Sequence, residues 1–407
     1  MRILMLAPRF PYPPDRGDTL RSWNILSRLA ASHEVWLACV DSRPPAAAHL
    51  QRVRRLCREV AVFDRPAWVN VLRGLRSLMT GGSVTEAYFS DPRLEQTVAR
   101  WSQAEPFDAL LTYSSSVASA AAHARARRRV LDLCDVDSLK WRRYARVSRW
   151  PLRWLYGLET ERVAELEARA TCSHDFCLLV NERERKKFAG LFPDVTAAVV
   201  PTTVDLSEFE PAPLAADPVV GTLGAMSYPP NVHAVNWFGR FVWPLVKARQ
   251  PDARWLIVGR DPVRSVRNWG RLPGVEVTGH VPDVRPYLAA MRAFADPVRG
   301  DIGVQSKLLV AMATGRPAVV TSDVAAGLTC TGAPPCLVAN SPRDFAAAVV
   351  RLLNDEELCR RLGGRARELM EARYAAGRQL EMLERLLAGE PAGGGRRRRR
   401  AEELTPA

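Results

Sequence analysis

The sequence predicts an α/β protein with two doubly wound domains, each built around a parallel sheet. Short, continuous apolar runs alternate with longer stretches of helical periodicity along most of the 407 residues. Runs without polar alternation are typical of strands buried on both faces, and parallel neighbours require crossover helices between them. A proline-rich segment at 201–217 interrupts this alternation and leaves a stretch of domain size on either side.

The apolar runs define the strand candidates in order. In the first half they are RILMLA, EVWLACV, VAVF, DALLTY, RVLDLC, FCLLVN and AAVVP, with helical stretches such as 19–31 and 182–191 between them. In the second half they are VVGTLG, RWLIVG, VEVTG, AFADPV and PAVVTS. Two Rossmann-like domains of this kind are expected to face each other across a cleft, with ligands beyond the carboxyl ends of the strands.

These patterns predict the division of the chain. We expect a first domain over residues 1–200, a linker over 201–217 and a second domain over 218–372. A last helical pattern within 373–388 can return to pack on the first domain. Residues 389–407 are rich in glycine and proline and contain five consecutive arginines, so we expect a disordered basic tail there.

Charge and composition limit the function classes. Lys and Arg outnumber Asp and Glu by 58 to 44, a net charge of +14, which implies an anionic partner: a phosphorylated small molecule, an acidic membrane surface or nucleic acid. Part of the excess lies in the tail, so we expect no specific nucleic-acid binding. The eight cysteines and six histidines do not recur at metal-site spacing, so no metal site is expected.

The apolar runs also bear on location. None approaches the 18 or so residues that a membrane span requires. The apolar run at the amino end meets Pro8 too early to form the core of a signal peptide. The sequence therefore predicts a cytoplasmic protein.

Glycine turns before helices mark candidate anion sites in both halves. Gly17 and Asp18 open the helix after the first strand, and Gly224 ends the first strand of the second half before another helix. Glycine lets a ligand approach bare amide groups, and the amino end of a helix favours anions. Asp18 could equally serve only as a helix cap. No Gly-x-Gly-x-x-Gly fingerprint of a dinucleotide fold is present.

Further cations follow the strands of the second half. Arg260 follows the glycine of "IVGRD", and Arg299 precedes "DIGVQSKLLVAMATGRPAV", in which Gly303, Gln305 and Lys307 precede or open a predicted helix over 303–314. Arginine, lysine and main-chain amides together can bind a diphosphate. Each cation alone could simply be solvated at the surface.

Aspartates and a basic stretch follow the strand RVLDLC. Asp135 and Asp137 fall at its carboxyl end, where each could orient a substrate hydroxyl or cap the next helix. The stretch 139–155 is rich in arginine, tryptophan and tyrosine, as in basic amphipathic helices on anionic membranes. It could also be a helix on its own domain with a solvated arginine face. Pro151 disfavours continuation of a helix through this stretch.

The motifs occur in an order that resembles a known enzyme family. "RILMLAPRFPYPPDRGDTLRS", "VDSLKWRRYA", "VVPTTVDLSEF", "GAMSYPPNVHAVNWF", "RWLIVG" and "GVQSKLLVAMATGRPAVV" resemble the GT-B glycosyltransferases of family 4 over roughly residues 2–387. Within that family the sequence is most similar to the sugar transferases of exosortase/PEP-CTERM exopolysaccharide systems, because "PYPPDRGD" is followed by "GAMSYPPN".

The resemblance implies a function for these sites. It implies a hexosyltransferase-type enzyme with a nucleotide-sugar donor in the second domain and an acceptor, polyprenyl-linked or saccharide, against the first. It implies retaining transfer without a metal or another cofactor. The residues implied to hold the donor diphosphate are Gly17, Asp18, Gly224, Arg260, Arg299, Gly303, Gln305 and Lys307. The catalytic candidates are Asp135, Asp137 and Asp301, and the enzyme could lie at the inner face of the cell membrane.

The sequence departs from the family pattern at three positions. The glutamate that the family carries seven residues after the glycine is Val310 here, and the region of its acidic partner reads Asp301-Ile302. The family's Pro-Asn-Gly-Val-Asp is "PTTVD", with Thr202 and Thr203. Losing the glutamate, which holds donor hydroxyls, is expected to cost about 2–4 kcal/mol of transition-state binding, unless Asp301 reaches the same hydroxyls.

Two alternatives to the transferase remain at this point. Val310 suggests a non-catalytic relative that binds nucleotide and acts as a partner in the same pathway. A nucleotide-sugar epimerase on the same fold would need acid and base groups in the cleft, for which His233 with Asp135 and Asp137 are the candidates.

Overall fold

The computed structural model describes residues 1–14, 17–300 and 303–390 and contains two parallel sheets. The first sheet has seven strands in the described residues, in the order β3-β2-β1-β4-β5-β6-β7. They are β1 Arg2–Ala7, β2 Glu34–Asp41, β3 Glu59–Asp64, β4 Phe107–Tyr113, β5 Ala126–Cys134, β6 Phe176–Leu179 and β7 Ala197–Val199. Each corresponds to an apolar run that predicted it.

The second sheet has six strands in the same described ranges, in the order β10-β9-β8-β11-β12-β13. They are β8 Val219–Leu223, β9 Arg254–Val258, β10 Val275–Gly279, β11 Ala293–Asp296, β12 Ala318–Val320 and β13 Leu337–Val338. The edge strand β13 was not predicted, because two residues after a proline-rich turn are too few to form an apolar run.

Helices connect the strands and cover both faces of each sheet. In the first half they are α1 Gly17–Ser32, α2 Ala47–Arg54, α3 Ala67–Met79, α4 Val84–Phe89, α5 Pro92–Ala104, α6 Ala118–Ala121, α7 Asp137–Val147, α8 Leu152–Cys172 and α9 Glu182–Leu191. In the second they are α10 Pro229–Trp237, α11 Trp243–Arg249, α12 Arg264–Arg267, α13 Arg285–Ala290, α14 Ser306–Ala313, α15 Ser322–Ala325, α16 Pro342–Asn354, α17 Glu356–Arg373 and α18 Ala376–Leu387. A π-helical turn over Phe238–Val242 joins α10 to α11.

The strand orders confirm the predicted fold class. In both sheets the order reverses beside the first strand, between β1 and β4 in one and between β8 and β11 in the other. A doubly wound sheet opens a crevice at such a switch point, at the carboxyl ends of the strands. The loops after β1 and β11 therefore lead to the places where a ligand is expected.

The last helix, α18, follows the second domain in the chain but packs on the first. Leu380, Leu383, Leu386 and Leu387 of α18 are buried in the same core cluster as β1, β2 and β4 of the first sheet. Arg128 Nη2 donates to the Gly389 carbonyl (2.9 Å), which fixes the end of α18. Burial of four leucines anchors this helix to the first domain, each contributing on the order of 2 kcal/mol.

A buried ion pair organises the first domain. Arg21 on α1 donates from Nε and Nη2 to the two carboxylate oxygens of Asp132 on β5 (2.8 and 2.9 Å), and from Nη1 to the Val200 carbonyl (2.7 Å). Both side chains are almost fully buried. Burial alone would lower the pKa of Arg21, but the charge of Asp132 outweighs it and raises that pKa. One side chain thus joins a helix, a strand and the residue that precedes the linker.

Within the described ranges, no helix combines the length and the apolar character that a bilayer crossing requires.

We expect Arg21→Ala to destabilise the first domain by about 3–5 kcal/mol, because the buried Asp132 carboxylate would lose its counter-charge. Urea unfolding followed by tryptophan fluorescence measures the change. The matched control is Arg254→Ala, whose partner Glu276 lies 3.6 Å away at an exposed position, so the expected loss is within about 1 kcal/mol. Equal losses in the two variants would contradict the structural role of Arg21.

Candidate active site

Two helix amino ends face each other where the sheets open. Within the described residues α1 begins at Gly17, after β1, and α14 begins at Ser306, after β11. A Cβ built on Gly17 would lie only 3.3 Å from Ser306 Oγ, so the two ends approach closely across the cleft. Each end presents amide hydrogens without an intrahelical acceptor and a partial positive charge. An anion at this point would meet donors from both domains.

Gly303 and Asp135 form a second close approach across the cleft. A Cβ built on Gly303 would lie 2.4 Å from both carboxylate oxygens of Asp135, so a side chain at this position would displace the aspartate. Asp135 follows β5 of the first domain, whereas Gly303 lies between β11 and α14 of the second. Glycine is thus required for the domains to approach at this point.

Asp135 has the electrostatics of an acid–base group. Burial, followed by the neighbouring carboxylates of Glu184 and Asp137, raises the pKa of Asp135 to about 7, against an opposing effect of Lys140. Its Oδ1 atom has no hydrogen-bond partner among the described residues. A carboxyl group that is half protonated near neutral pH can either donate or accept a hydrogen bond.

Lys307 is the centre of a buried network in the second domain. Its Nζ lies 2.9 Å from Asp296 Oδ1 at the end of β11 and donates to Asn231 Oδ1 (2.9 Å) on α10. Asn231 Nδ2 in turn donates to the Ala225 carbonyl (3.0 Å) in the loop after β8. The ammonium is therefore turned into the domain, where it fixes α10 and α14 to their strands.

Gly224 and Arg260 lie at the ends of neighbouring strands. A Cβ on Gly259 would lie 1.7 Å from the Gly224 carbonyl, and one on Gly224 would lie 2.6 Å from Asn231 Nδ2. Gly224 has φ +151° and Gly259 has φ +159°. Arg260 accepts a main-chain bond from Met226 (2.8 Å), and its Nε lies 4.0 Å from Asp261. These glycines allow the loops after β8 and β9 to lie against each other and next to Asn231 of α10.

The side chain of Arg299 contacts Trp237 and Asn340. Its guanidinium carbon lies 3.9 Å from the centre of the Trp237 ring, and its Nη2 donates to the Asn340 carbonyl. The Arg299 carbonyl accepts a bond from Arg143 Nη2 (2.8 Å) on α7, so this loop is tied to the first domain. Arg143 was not among the residues predicted for the site.

The remaining predicted residues have local partners. Asp18 Oδ2 lies 3.0 Å from Arg9 Nε, and Asp18 Oδ1 accepts from the Thr19 amide (3.0 Å). Asp137 is the first residue of α7 and lies 3.4 Å from Lys140 Nζ. Gln305 caps α14 without a side-chain bond to it, since its Nε2 donates to the Gly303 carbonyl (3.2 Å).

Helix α7 lines the cleft rather than lying wholly at the outer surface. Burial, followed by the neighbouring hydroxyl of Tyr144 on α7, raises the pKa of Tyr228 in the second domain to about 12. Asn181 Nδ2 also reaches across and donates to the Gly327 carbonyl (3.3 Å). Sequence spacing could not identify these contacts, because they join residues far apart in the chain.

The sequence also singled out Asp301, Val310 and His233. Asp301 lies outside the described residues. Val310, in the second turn of α14, is 7% exposed and belongs to an apolar core cluster. His233 is exposed and lines a surface cavity of about 630 Å³ with Asn236, Arg240 and Trp269, which contains neither Asp135 nor Asp137. In the part of the chain that the structure describes, no group of three potential metal ligands is brought together.

Comparison with known proteins agrees with this architecture. Residues 217–355 match the family of glycosyl transferases group 1. No curated protein matches the chain significantly in sequence.

Solved structures resemble the whole chain. HepE from Anabaena, solved with UDP and glucose, is 15% identical with a TM-score of 0.66, and the alignment covers 95% of this chain and 99% of that one. Sucrose-phosphate synthase from Thermosynechococcus elongatus is 15% identical with a TM-score of 0.70, covering 95% and 98%. A TarM variant from S. aureus, solved with fondaparinux, alpha-GlcNAc-glycerol and UDP, is 10% identical with a TM-score of 0.64, covering 95% and 99%.

Two Rossmann-like domains that face each other across a cleft define the GT-B fold, and this chain has it. With the match of the second domain, this supports a glycosyltransferase of the GT-B type.

We expect the stability of the protein to carry a pH-dependent contribution from Asp135. Between a carboxyl pKa of 3.8 and about 7, the folded protein holds a proton on Asp135 that the unfolded chain has released, so this contribution declines as the pH rises through that range. Asp135→Asn cannot ionise. It should therefore gain unfolding free energy relative to wild type as the pH rises, by at most about 4 kcal/mol for a shift of about three units.

Urea unfolding of both proteins at several pH values between about 4 and 8 measures this difference. Glu167, whose pKa burial also raises to about 7, is present in both proteins, so its effect cancels. A difference that stays constant with pH would contradict the raised pKa of Asp135.

Proposed function

We propose that this protein transfers a hexose from a nucleotide-sugar donor to a growing exopolysaccharide, carried on a polyprenyl-type lipid. The single observation that carries the donor half of the proposal is the close approach of the amino ends of α1 and α14 at the switch points of the two sheets. The match of residues 217–355 and the UDP and glucose of the HepE structure support the same assignment. Retention without a metal and the acceptor follow from the resemblance in sequence.

In this proposal the diphosphate of the donor binds at the two facing helix ends, those of α1 and α14. Gly17 on one side carries no side chain, and Ser306 on the other adds a hydroxyl. Main-chain amides from both domains would stabilise the charge that grows on the leaving diphosphate as the bond to the sugar breaks. Bound donor would thereby also hold the domains together.

Asp135 is proposed to exchange a proton with a substrate hydroxyl. It lies against Gly303, beside the proposed diphosphate position, and its Oδ1 is without a hydrogen-bond partner in the described residues. A pKa near 7 suits a group that accepts a proton from the acceptor hydroxyl as the new glycosidic bond forms. Asp137, paired with Lys140, is proposed to support its electrostatics rather than to touch substrate.

We expect a nucleoside diphosphate to bind at the end of α14, and Ser306→Asp to weaken that binding at least about tenfold. A carboxylate in the first turn is favourable for the helix itself but repels an anion at the same amides. Isothermal titration with UDP, GDP and ADP measures affinity and identifies the base. Thermal unfolding should show that the variant remains as stable as wild type.

The matched control is Ser341→Asp, which places the same charge at the N-cap of α16, where Ser341 accepts from the Asp344 amide. Helix α16 follows the edge strand β13, two strands away from β11, which leads to α14, so binding should be unchanged. Equal loss of affinity in both variants, or wild-type affinity in Ser306→Asp, would place the nucleotide elsewhere.

Val310 motivates the second candidate, a nucleotide-binding protein that has lost catalysis. We expect wild type to release nucleotide from at least one nucleotide sugar when a polyprenyl-phosphate acceptor is present. Val310→Glu places a carboxylate at a position that is 7% exposed, and Val310→Gln is the uncharged control of similar volume.

Turnover by wild type excludes the non-catalytic candidate. An inert wild type together with an active Val310→Glu and an inactive Val310→Gln would establish it, because only the carboxylate would then restore the reaction.

A further inference from the structure

We propose that the first domain docks on an anionic membrane through two exposed segments, one face of α3 and the junction between α7 and α8. Together they are called the docking face here: residues 68–79 and 146–154. The proposal goes beyond sugar transfer and does not depend on the donor chemistry.

Helix α3 has an apolar face that the other residues described by the structure leave uncovered. Its exposed apolar side chains recur at the spacing of a single helix face, and they are Trp68, Val71, Leu72, Leu75 and Met79. Met79 is 81% exposed. The opposite side packs on the domain, since Asn70 is buried and a Cβ on Gly74 would lie 3.0 Å from Val84 Cγ1. Single exposed apolar residues are common, but a continuous face marks an interaction site.

The junction between α7 and α8 is the second uncovered segment. Helix α7 ends at Val147 and α8 begins at Leu152, so the stretch between them projects from the domain. Trp150 is 83% exposed, and Val147, Leu152 and Trp154 are exposed as well. Arg146, Arg149 and Arg153 alternate with these apolar side chains and are also exposed. Tryptophan next to arginine is typical of segments in the headgroup region of a bilayer.

Contacts from α8 place the two segments on one part of the domain. Arg162 donates to the carbonyls of Leu78 (3.1 Å) and Gly82 (2.9 Å), at the end of α3. Glu159 accepts from the amides of Val84 (2.9 Å) and Thr85 (2.8 Å) in the next turn. Trp154 precedes Arg162 by eight residues on the same helix, so it lies about 12 Å from this anchor along the axis.

The charge around the docking face favours an anionic membrane as its partner. Neither 65–85 nor 138–158 contains an aspartate or glutamate, whereas the two stretches contain nine lysines and arginines: Arg65, Arg73, Arg76, Lys140, Arg142, Arg143, Arg146, Arg149 and Arg153. An apolar face bordered by cations alone complements a bilayer with anionic headgroups. The segment 139–155 is thus divided: Arg143 and Tyr144 of α7 contact the second domain, and residues 146–154 are available to lipid.

The test is co-sedimentation of the full chain with vesicles. We expect binding to mixed phosphatidylglycerol–phosphatidylcholine vesicles and little binding to pure phosphatidylcholine. The triple variant Leu72→Ser/Leu75→Ser/Met79→Ser should lower the partition coefficient at least about tenfold, since three apolar side chains no longer enter the interface. Trp150→Ser/Trp154→Ser should have a comparable effect.

The matched control is Phe241→Ser/Leu272→Ser, which removes exposed apolar side chains from the second domain and should leave binding unchanged. The arginines at 396–400 are identical in all of these proteins, so attraction by the tail cannot cause a difference between them. Nucleotide titration should be the same for every variant, which separates this surface from the donor site.

The proposal would be overturned if the wild-type protein did not bind anionic vesicles, or if the triple variant bound them as strongly as wild type. Light scattering without lipid measures whether the same surface instead joins two copies of the chain. If wild type forms a dimer that the same variants dissociate, the surface is an interface between copies and the membrane assignment is wrong.

Discussion

The buried pair of Lys307 and Asp296 determines the geometry of the second domain's side of the cleft. The two groups lie 2.9 Å apart, and Lys307 also binds Asn231 on α10. Removing one member of such a buried pair typically costs about 3–5 kcal/mol, because the other is left charged without a partner. The pair therefore fixes the amino ends of α10 and α14 to the edge of the sheet. A site formed by main-chain amides requires this rigidity, since amides cannot adjust independently of their helix.

If the diphosphate binds as proposed, the cations near it need not touch it. Lys307 and Arg299 both follow β11, as the sequence indicated, but Lys307 turns inward to Asp296 and Arg299 lies over Trp237. Their charges still contribute to the positive potential of the second domain. In the proposed function, direct contacts to the diphosphate come from the helix ends, where Gly17 and Ser306 lie close together.

The sequence predicted the strands well because parallel strands covered on both faces must be continuously apolar. Strand β13 was not predicted, because two residues are too few to show an apolar run. For the site, glycines and helix starts were recognisable, as their constraint is local. Sequence patterns could not identify the partners of these residues, because each partner acts through a residue that is distant in the chain. They are Asn231, Asp296, Arg143 and Tyr228. The raised pKa of Asp135 likewise arises from burial and from Glu184, which no spacing in the sequence reveals.

Val310 packs in the apolar core of the second domain, on the turn of α14 that follows the amino end. The amides that face Gly17 belong to the first turn and are independent of the side chain at position 310. Under the proposed function, valine in place of the glutamate of the similar enzymes should therefore spare binding of the diphosphate and weaken recognition of donor hydroxyls. The resulting cost falls on the transition state more than on nucleotide affinity, because hydroxyl contacts that orient the sugar are made most fully there. Nucleotide affinity alone is for this reason insufficient evidence of catalysis.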